Sequence, residues 1–326
     1  MPTPMAGNLL SSLRIGVVGA TGAVGRVTLE LLRERGYEQI FPFGSWRSVG
    51  TTIGGLEVEE AAPKTLAAAD LDICFFSVGS ALSRELVPPT AASGALCIDK
   101  SSAFRLEEGV PLVVPEVNGQ RAQAHDGIVA NPNCCTIPLT MVLAPLHEAA
   151  GLERVRVATY QSVSGAGAQA MEALRTEPPE RHDLRMDWAL EDDELEEEAK
   201  IRAETRKILE LPDLPLSASC VRVPVMVGHA EAVWIETREH LKPADAERIL
   251  RAAPGLRYEP LPSPAKAAGT DDVLVGRIRR DTAVENGLVL FLACDNLRKG
   301  AALNAVQIAD LVVRASLPAS FGARTA

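Results

Sequence analysis

The sequence predicts an α/β protein of two domains, and three observations carry that reading. A glycine turn sits directly between an apolar run and an amphipathic helix near the N-terminus. Short apolar runs then alternate with helical segments as far as residue 132, and beyond that point strand-like runs follow one another with fewer helices between them. The chain of 326 residues, 47% of them apolar, is long enough for two cores of ordinary size.

The first element is "LRIGVVGATGAVGRVTLELLRERG", which reads as a buried strand, a glycine turn and a helix ending at Gly36, the opening of a βαβ unit. Gly19, Gly22 and Gly25 stand in G-x-x-G-x-x-G spacing, so β-carbons are missing where the N–H groups of a helix N-terminus would meet a pyrophosphate. Placement after the first strand favours a Rossmann-type dinucleotide site over a merely tight turn. An NAD site usually has an acid about 20 residues further on to hold the ribose hydroxyls. Here "FGSWRSVG" offers Ser45, Arg47 and Ser48 and no acid. Hydroxyls and a guanidinium suit a 2′-phosphate, which predicts NADP(H). The runs "LDICFFSVG", "GALCIDKSS", "VPLVVPEVN" and "GIVANPN" follow as short apolar strand candidates, with helical segments such as "SRELVPPTAASG" among them. Such alternation implies a mostly parallel sheet covered on both faces.

A helix from Cys134 to near Gly151 closes this part, and the grammar then changes. "RVRVATYQSV", "CVRVPVMV", "EAVWIETREHL", "VLVGRIRRD" and "GLVLFLACD" suit an antiparallel or mixed sheet in an α+β domain. The final amphipathic helix, "LRKGAALNAVQIADLVVRASL", is expected to return to the first domain. The boundaries read as 1–132 with 297–326 for the dinucleotide domain and 133–296 for the second. The run "EDDELEEE" reads as a solvated helix start with acids near the positive dipole end.

The net charge of −10 leaves no broad basic field for a nucleic acid or an anionic membrane, so a small anionic ligand would need a few placed arginines or lysines. No window approaches the roughly 18 to 20 apolar residues of a membrane span, and the head "MPTPMAGNLLSSLR" lacks a basic start followed by an apolar run. A soluble cytoplasmic protein is expected. Of six cysteines, Cys74, Cys97, Cys220 and Cys294 lie inside apolar runs, as buried small hydrophobes do. With no C-x-x-C pair and no metal-type spacing among the five histidines, no metal is expected.

The remaining two cysteines are adjacent in "ANPNCCTIP". Asn133 is a good N-cap and Pro138 is tolerable in a first turn, which would put a cysteine at the positive end of a helix, where a thiol pKa is lowered. Successive helical residues point about 100° apart, so only one of Cys134 and Cys135 faces a given site. A bond between neighbours would be strained and a cytoplasmic compartment would reduce it. One nucleophile and one bystander result, and local chemistry leaves open which is which.

"GATGAVG", "PLVVPEVN", "NPNC" followed by a small residue and Thr, "TYQSVSGAG", "VRVPV…GHAEAV", "VGRIR" and "DNLRKGAALNAVQIA" resemble aspartate-β-semialdehyde dehydrogenase, in the same order and over nearly the whole chain. The resemblance implies Cys134 as nucleophile and Cys135 as its small neighbour. It implies a glyceraldehyde-3-phosphate-dehydrogenase-like catalytic and dimerisation domain, a homodimer (or a homotetramer), and an NADP-dependent enzyme of lysine, threonine, methionine and diaminopimelate biosynthesis. The implied reaction reduces L-aspartyl-4-phosphate to L-aspartate-4-semialdehyde through a cysteine thioester, dividing one hard step into two.

By position, the resemblance makes His229 the general acid/base and Gln161 the residue that orients substrate at the nucleophile. Arg222 would take the α-carboxylate as a bidentate pair. Seven strand residues span about 23 Å when straight, so a turn near Pro224 to Gly228 must fold the chain back if Arg222 and His229 share a site. Arg105 and Lys200 match the phosphate ligands, helped by Asn133. Glu197, one helical turn before Lys200, matches an acid for the substrate ammonium. For the cofactor the family pattern adds Thr21, Ala23 and Val24, then Ser77 and Gly79, Ser164 and Gly165, and Asn296. Two departures stand out: a much shorter stretch between "SGAGAQAMEALRTE" and Glu197, where relatives build part of the subunit interface, and Lys100, where relatives usually have Asn or Thr.

Rival readings are a reductase for another acyl phosphate or acyl thioester, such as N-acetylglutamyl phosphate or malonyl-CoA, and an NADP-binding paralogue without catalysis. Arg222 with Glu197 argues for a free amino acid, and the joint presence of Cys134, Gln161, Arg222 and His229 argues against decay. A Cys-His hydrolase would leave the glycine turn unexplained.

Overall fold

In the computed structural model, which describes residues 10–315, the first sheet is built from β1 (Arg14–Val18), β2 (Gln39–Gly44), β3 (Glu59–Glu60), β4 (Ile73–Phe76), β5 (Leu96–Asp99) and β6 (Ile128–Ala130). Every pairing is parallel, in the order β3-β2-β1-β4-β5-β6. All four residues of β4 and of β5 are buried, which is why these runs are continuously apolar and do not alternate. Helix α1 (Ala23–Glu34) follows the glycine turn and α2 (Ser80–Ala92) follows β4. The strand order reverses between β1 and β4, and the crevice outside the carboxyl ends of those strands is where an open α/β sheet binds its ligand.

Two sequence readings differ from this sheet. "VPLVVPEVN" is not a strand: Leu112 makes one bridge to Ala130, and a helical turn begins at Pro115. Pro111 and Pro115 have no N–H to give a ladder. Conversely "QIFPFG" is a strand that its proline hid. Pro42 is tolerated because the outer neighbour β3 pairs only with Phe43 and Gly44.

Lys100 follows β5. The residue is half-buried but its ammonium is enclosed, donating to Thr28 Oγ1 at 3.1 Å and lying 5.3 Å from the centre of the Phe75 ring. Burial lowers its pKa to about 7, against the pull of Asp99. An unfolded lysine holds its proton to about pH 10.4, so between about pH 7 and pH 10 the unfolded chain binds more protons and stability rises with pH. Lys100→Met is therefore expected to stabilise the protein by about 1–3 kcal/mol near pH 6.5, with the advantage shrinking towards pH 9.5. Urea unfolding at the two pH values measures it.

The second sheet joins β7 (Leu152–Gln161), β8 (Leu216–Arg222), β9 (His229–Thr237), β10 (Leu256–Tyr258), β11 (Val273–Arg280) and β12 (Gly287–Cys294) in the order β8-β7-β9-β12-β11-β10. It is mixed: β8 runs parallel to β7, whereas β9 runs antiparallel to both β7 and β12. Helix α3 (Thr136–Ala150) buries ten of its fifteen residues, so it is a core helix and not an amphipathic one. Helix α4 (Glu196–Leu209) begins in the acidic run, and Glu198 reaches back to accept the Leu195 N–H at 3.0 Å. The chain from β8 to β9 crosses the end of β7, with Gly228 at φ +98°, where a β-carbon would also press on Pro264. That crossing collects Gln161, Arg222 and His229 at one end of the sheet.

Among the described residues one compact unit comprises everything up to Pro132 together with the segment from Ala301, and the other is Asn133–Gly300. Residues 297–300, assigned by sequence to the first domain, belong to the second unit: the Gly300 N–H donates to the Asp295 carbonyl at 3.0 Å, and its Cα faces Cys134. Helix α5 (Leu303–Ala315) packs Leu303, Val306, Ile308 and Ala309 into the cluster that holds Ile15, Val17, Phe75 and Ile98. The head up to residue 9 and the tail from residue 316 lie outside the described residues. No helix among the described residues is long and apolar enough to cross a membrane.

Candidate active site

Asn133 leads into α3, which starts at Thr136, two residues later than the sequence reading has it. Its Oδ1 accepts the Cys135 N–H at 2.8 Å and its carbonyl accepts the Ile137 N–H at 3.0 Å, so Cys134 lies in the turn just ahead of the positive end of the helix dipole. Cys134 is half-buried, with Sγ 3.2 Å from His229 Nε2. Cys135 is fully buried, and burial and the neighbouring Cys134 push its thiol well above the ordinary range. An accessible sulfur beside an imidazole and a buried, protonated one beside it are different chemical objects.

His229 begins β9. Its Nδ1 accepts the Ser162 backbone N–H at 3.0 Å and lies 3.1 Å from Ser162 Oγ. In the neutral ring the first contact assigns the hydrogen to Nε2, pointing at Cys134. When Nδ1 carries a hydrogen, Ser162 Oγ is there to accept it, since its own hydrogen goes to Asn296 Oδ1 at 3.0 Å. Asn296 Oδ1 also accepts from Ser164 Oγ at 3.1 Å and from the Gly228 N–H at 2.8 Å, while its Nδ2 donates to Ser164 Oγ. Sequence reading placed Ser164 and Asn296 beside the cofactor. In the structure both polar ends of Asn296 are engaged inside the second unit, where they fix the crossing loop and the imidazole. Ser162 was missed, and its only signal was its place between Gln161 and Ser164 in "TYQSVSG".

Glu197, on the first turn of α4 and 5% exposed, ties two more residues to the nucleophile's turn. Its Oε1 accepts from Asn133 Nδ2 at 2.9 Å and from Gln161 Nε2 at 3.1 Å. Burial raises its pKa, as does the Cys134 sulfur, while the two amides lower it. Lys200 lies one turn on, with its Nζ on Glu196 at 2.6 Å. Arg222 ends β8 beside Gln161 in the register; its Nη1 donates to the Ser162 carbonyl at 3.1 Å, and its Nε and Nη2 donate to Asp187. Gly165 separates Arg222 from His229. A β-carbon there would sit 3.3 Å from Arg222 Nη1 and 3.4 Å from His229 Nε2, so the missing side chain keeps this space open.

Two further features escaped the sequence reading. Glu231, two residues after His229 on the same face of β9, is completely buried; neither carboxyl oxygen meets a nitrogen or oxygen partner among the described residues, and the Cys135 thiol is the group beside it. Burial first, and the Cys134 sulfur second, push its pKa far up, against a hydrogen bond from the Cys135 thiol that lowers it. Cys134, Cys135 and His229 also bring three soft donor atoms within 4.8 Å of one another. Spacing rules could not find that trio, because His229 lies 95 residues after Cys134.

The first unit carries the other predicted residues. Gly19 has φ +80°, and a β-carbon on it would strike the Ser77 carbonyl, while one on Gly25 would strike the Gly19 carbonyl. Gly22 and Gly79 are the N-caps of α1 and α2, with no side-chain cap and no acid in either first turn. Ser77 Oγ is buried without a hydrogen-bond partner among the described residues. Two uncapped helix N-termini and an orphaned hydroxyl at the β1/β4 switch point fit a pyrophosphate. Thr21, Ala23 and Val24 form the rest of that turn. Ser45, Arg47 and Ser48 follow directly on β2, with Arg47 exposed and over the Trp46 ring at 5.3 Å. Arg105 is buried, donating from Nε to the Asn131 carbonyl at 3.0 Å and from Nη2 to the Lys100 carbonyl at 2.7 Å.

Residues 14–125 match the family model described as semialdehyde dehydrogenase, NAD binding domain. Residues 143–190 and 185–299 match the semialdehyde dehydrogenase, dimerisation domain, in two pieces that meet in the shortened stretch. The aspartate-semialdehyde dehydrogenase of Streptomyces akiyoshiensis is 43% identical over 92% of this chain and 98% of its own. That of Aquifex aeolicus is 41% identical over 93% and 99%. A crystal structure of aspartate semialdehyde dehydrogenase II from Vibrio cholerae, complexed with ASA, superposes with a TM-score of 0.87 at 35% identity, covering 94% of this chain and 99% of that one.

Proposed function

The chain belongs to the aspartate-semialdehyde dehydrogenase family, and we propose that it reduces L-aspartyl-4-phosphate to L-aspartate-4-semialdehyde in amino-acid biosynthesis, reversibly, as a cytoplasmic NADP-dependent homodimer. The observation that carries this reading is the 3.2 Å contact between Cys134 Sγ and His229 Nε2, with Nδ1 held by Ser162.

With the ring hydrogen on Nδ1 against Ser162 Oγ, His229 Nε2 takes the proton of the Cys134 thiol and becomes charged. The sulfur attacks the acyl phosphate carbonyl, the carbon–oxygen bond to phosphate breaks, and a thioester remains on Cys134. When bound, the nicotinamide supplies or takes the hydride. The tetrahedral carbon then carries an oxyanion, to which Nε2 of the charged His229 gives its proton while Nδ1 keeps its own against Ser162 Oγ. Collapse to the aldehyde returns that proton to Nε2 and frees the sulfur. Ser162 therefore offers Nδ1 a partner in each protonation state. Gln161 orients the carbonyl, Arg222 takes the α-carboxylate and Glu197 the ammonium. Asn133 and Lys200, released from Glu196, hold the phosphate, a role that the family resemblance also implies for Arg105. The uncapped turns at Gly22 and Gly79 with Ser77 hold the pyrophosphate, and Ser45, Arg47 and Ser48 the 2′-phosphate, since no acid stands at the end of β2.

Purified protein is expected to oxidise L-aspartate-4-semialdehyde with NADP⁺ only when inorganic phosphate is present, because phosphate is the group that releases the acyl chain from Cys134. Equal rates without phosphate would overturn the acyl-phosphate chemistry. The same assay run with other aldehydes separates this substrate from those of related reductases.

A further inference from the structure

The shortened stretch ahead of α4 places a carboxylate on the very guanidinium that the reaction needs. Asp187 Oδ1 accepts from Arg222 Nε at 3.2 Å and from Nη2 at 3.1 Å, and Oδ2 accepts from Nε at 3.1 Å. The Trp188 ring lies over the same group, 4.4 Å from its carbon. Arg185 and Arg222 exchange backbone hydrogen bonds of 3.0 and 2.8 Å, which dock the segment along the end of β8. The two partners differ in setting: the Arg222 side chain is 7% exposed and that of Asp187 38%. The arginine is fixed from within, through Nη1 on the Ser162 carbonyl, and the aspartate reaches it from outside. The Nε/Nη2 edge of a guanidinium is one that can take a carboxylate bidentately, and with Nη1 engaged on the Ser162 carbonyl it is the edge left to a ligand.

We propose that Asp187 is a built-in competitor for the substrate carboxylate: the Asp187–Trp188 segment closes on Arg222 in the resting protein, and a ligand carboxylate displaces it. This rests on Arg222 as the α-carboxylate ligand. A ligand without a carboxylate leaves the segment in place, so the device adds specificity for amino-acid substrates. Arg222 is competent only in the fraction of molecules with the segment away, and apparent affinity falls by that fraction.

Asp187→Asn keeps the shape and removes the charge. It is expected to lower KM for L-aspartate-4-semialdehyde about three- to tenfold with kcat retained, a modest factor because Asp187 is partly solvated. Arg222→Lys, measured beside it, raises KM. If Arg222→Lys leaves KM unchanged, the role of Arg222 is wrong. If Arg222→Lys raises KM but Asp187→Asn leaves it unchanged or raises it, Arg222 stands and the competitor is wrong. A second readout uses the unsubstituted protein. Titration with L-2-aminobutyrate, an unreactive amino acid, is expected to change tryptophan fluorescence saturably, and Trp188→Phe removes that change. A silent titration of the unsubstituted protein, or a signal that survives Trp188→Phe, overturns displacement of the segment.

Discussion

Cys134→Ser is expected to lower kcat/KM by about four orders of magnitude or more, whereas Cys135→Ser retains most of it. A serine hydroxyl at position 134 keeps the size and the helix-end setting but lacks an accessible anion near neutral pH, so acylation stops while binding survives. At position 135 the sulfur is buried and its thiol held protonated, so it takes no part in bond making. Its replacement acts through packing, at a cost of about 1–2 kcal/mol for a buried hydroxyl, softened where that hydroxyl takes over the thiol's contact with the Glu231 carboxyl. Iodoacetamide labelling followed by mass analysis should modify the unsubstituted protein and Cys135→Ser once each, and leave Cys134→Ser unmodified at the same rate. An active Cys134→Ser with an inactive Cys135→Ser would reverse the assignment.

The pair also shows where sequence reasoning reached and where it stopped. Asn133, the helix start and the adjacency of the cysteines are local, so an N-cap argument places them without any tertiary knowledge. The parallel sheet was legible for the same reason, since β4 and β5 are buried on both faces and read as unbroken apolar runs. Proline hid β2, and an apolar run imitated a strand at residues 110–114, because a pattern of apolar residues does not say whether a ladder partner exists. The contact between Cys134 and His229 depends on β9 running antiparallel to β7, and only the family resemblance brought those residues together beforehand. Ser162, Glu231 and Asp187 lay beyond both routes. Ser162 matters through the β7–β9 register, Glu231 through enclosure by α3 and the sheet, and Asp187 through a turn whose length departs from the family pattern.

His229→Ala is expected to lower kcat by about two to four orders of magnitude with little change in KM, because the ring touches the reacting sulfur and the nascent oxyanion and none of the groups that recognise the amino acid. Exogenous imidazole should restore part of the rate saturably: His229 is fully buried, so its removal leaves a cavity beside Cys134, open on the side that Gly165 leaves without a side chain. His229→Asn occupies that space with an amide that cannot shuttle a proton, and should be equally slow and resistant to rescue. Ser162→Ala separates proton handling from simple positioning. Its backbone N–H still fixes the ring through Nδ1, so a ring that needed only orientation would lose little. A ring that passes through a state with a hydrogen on Nδ1 loses the oxygen that accepts it, and kcat should fall about tenfold at unchanged KM. A Ser162→Ala protein with full kcat would leave His229 as a fixed donor to the sulfur and remove its part in moving the proton.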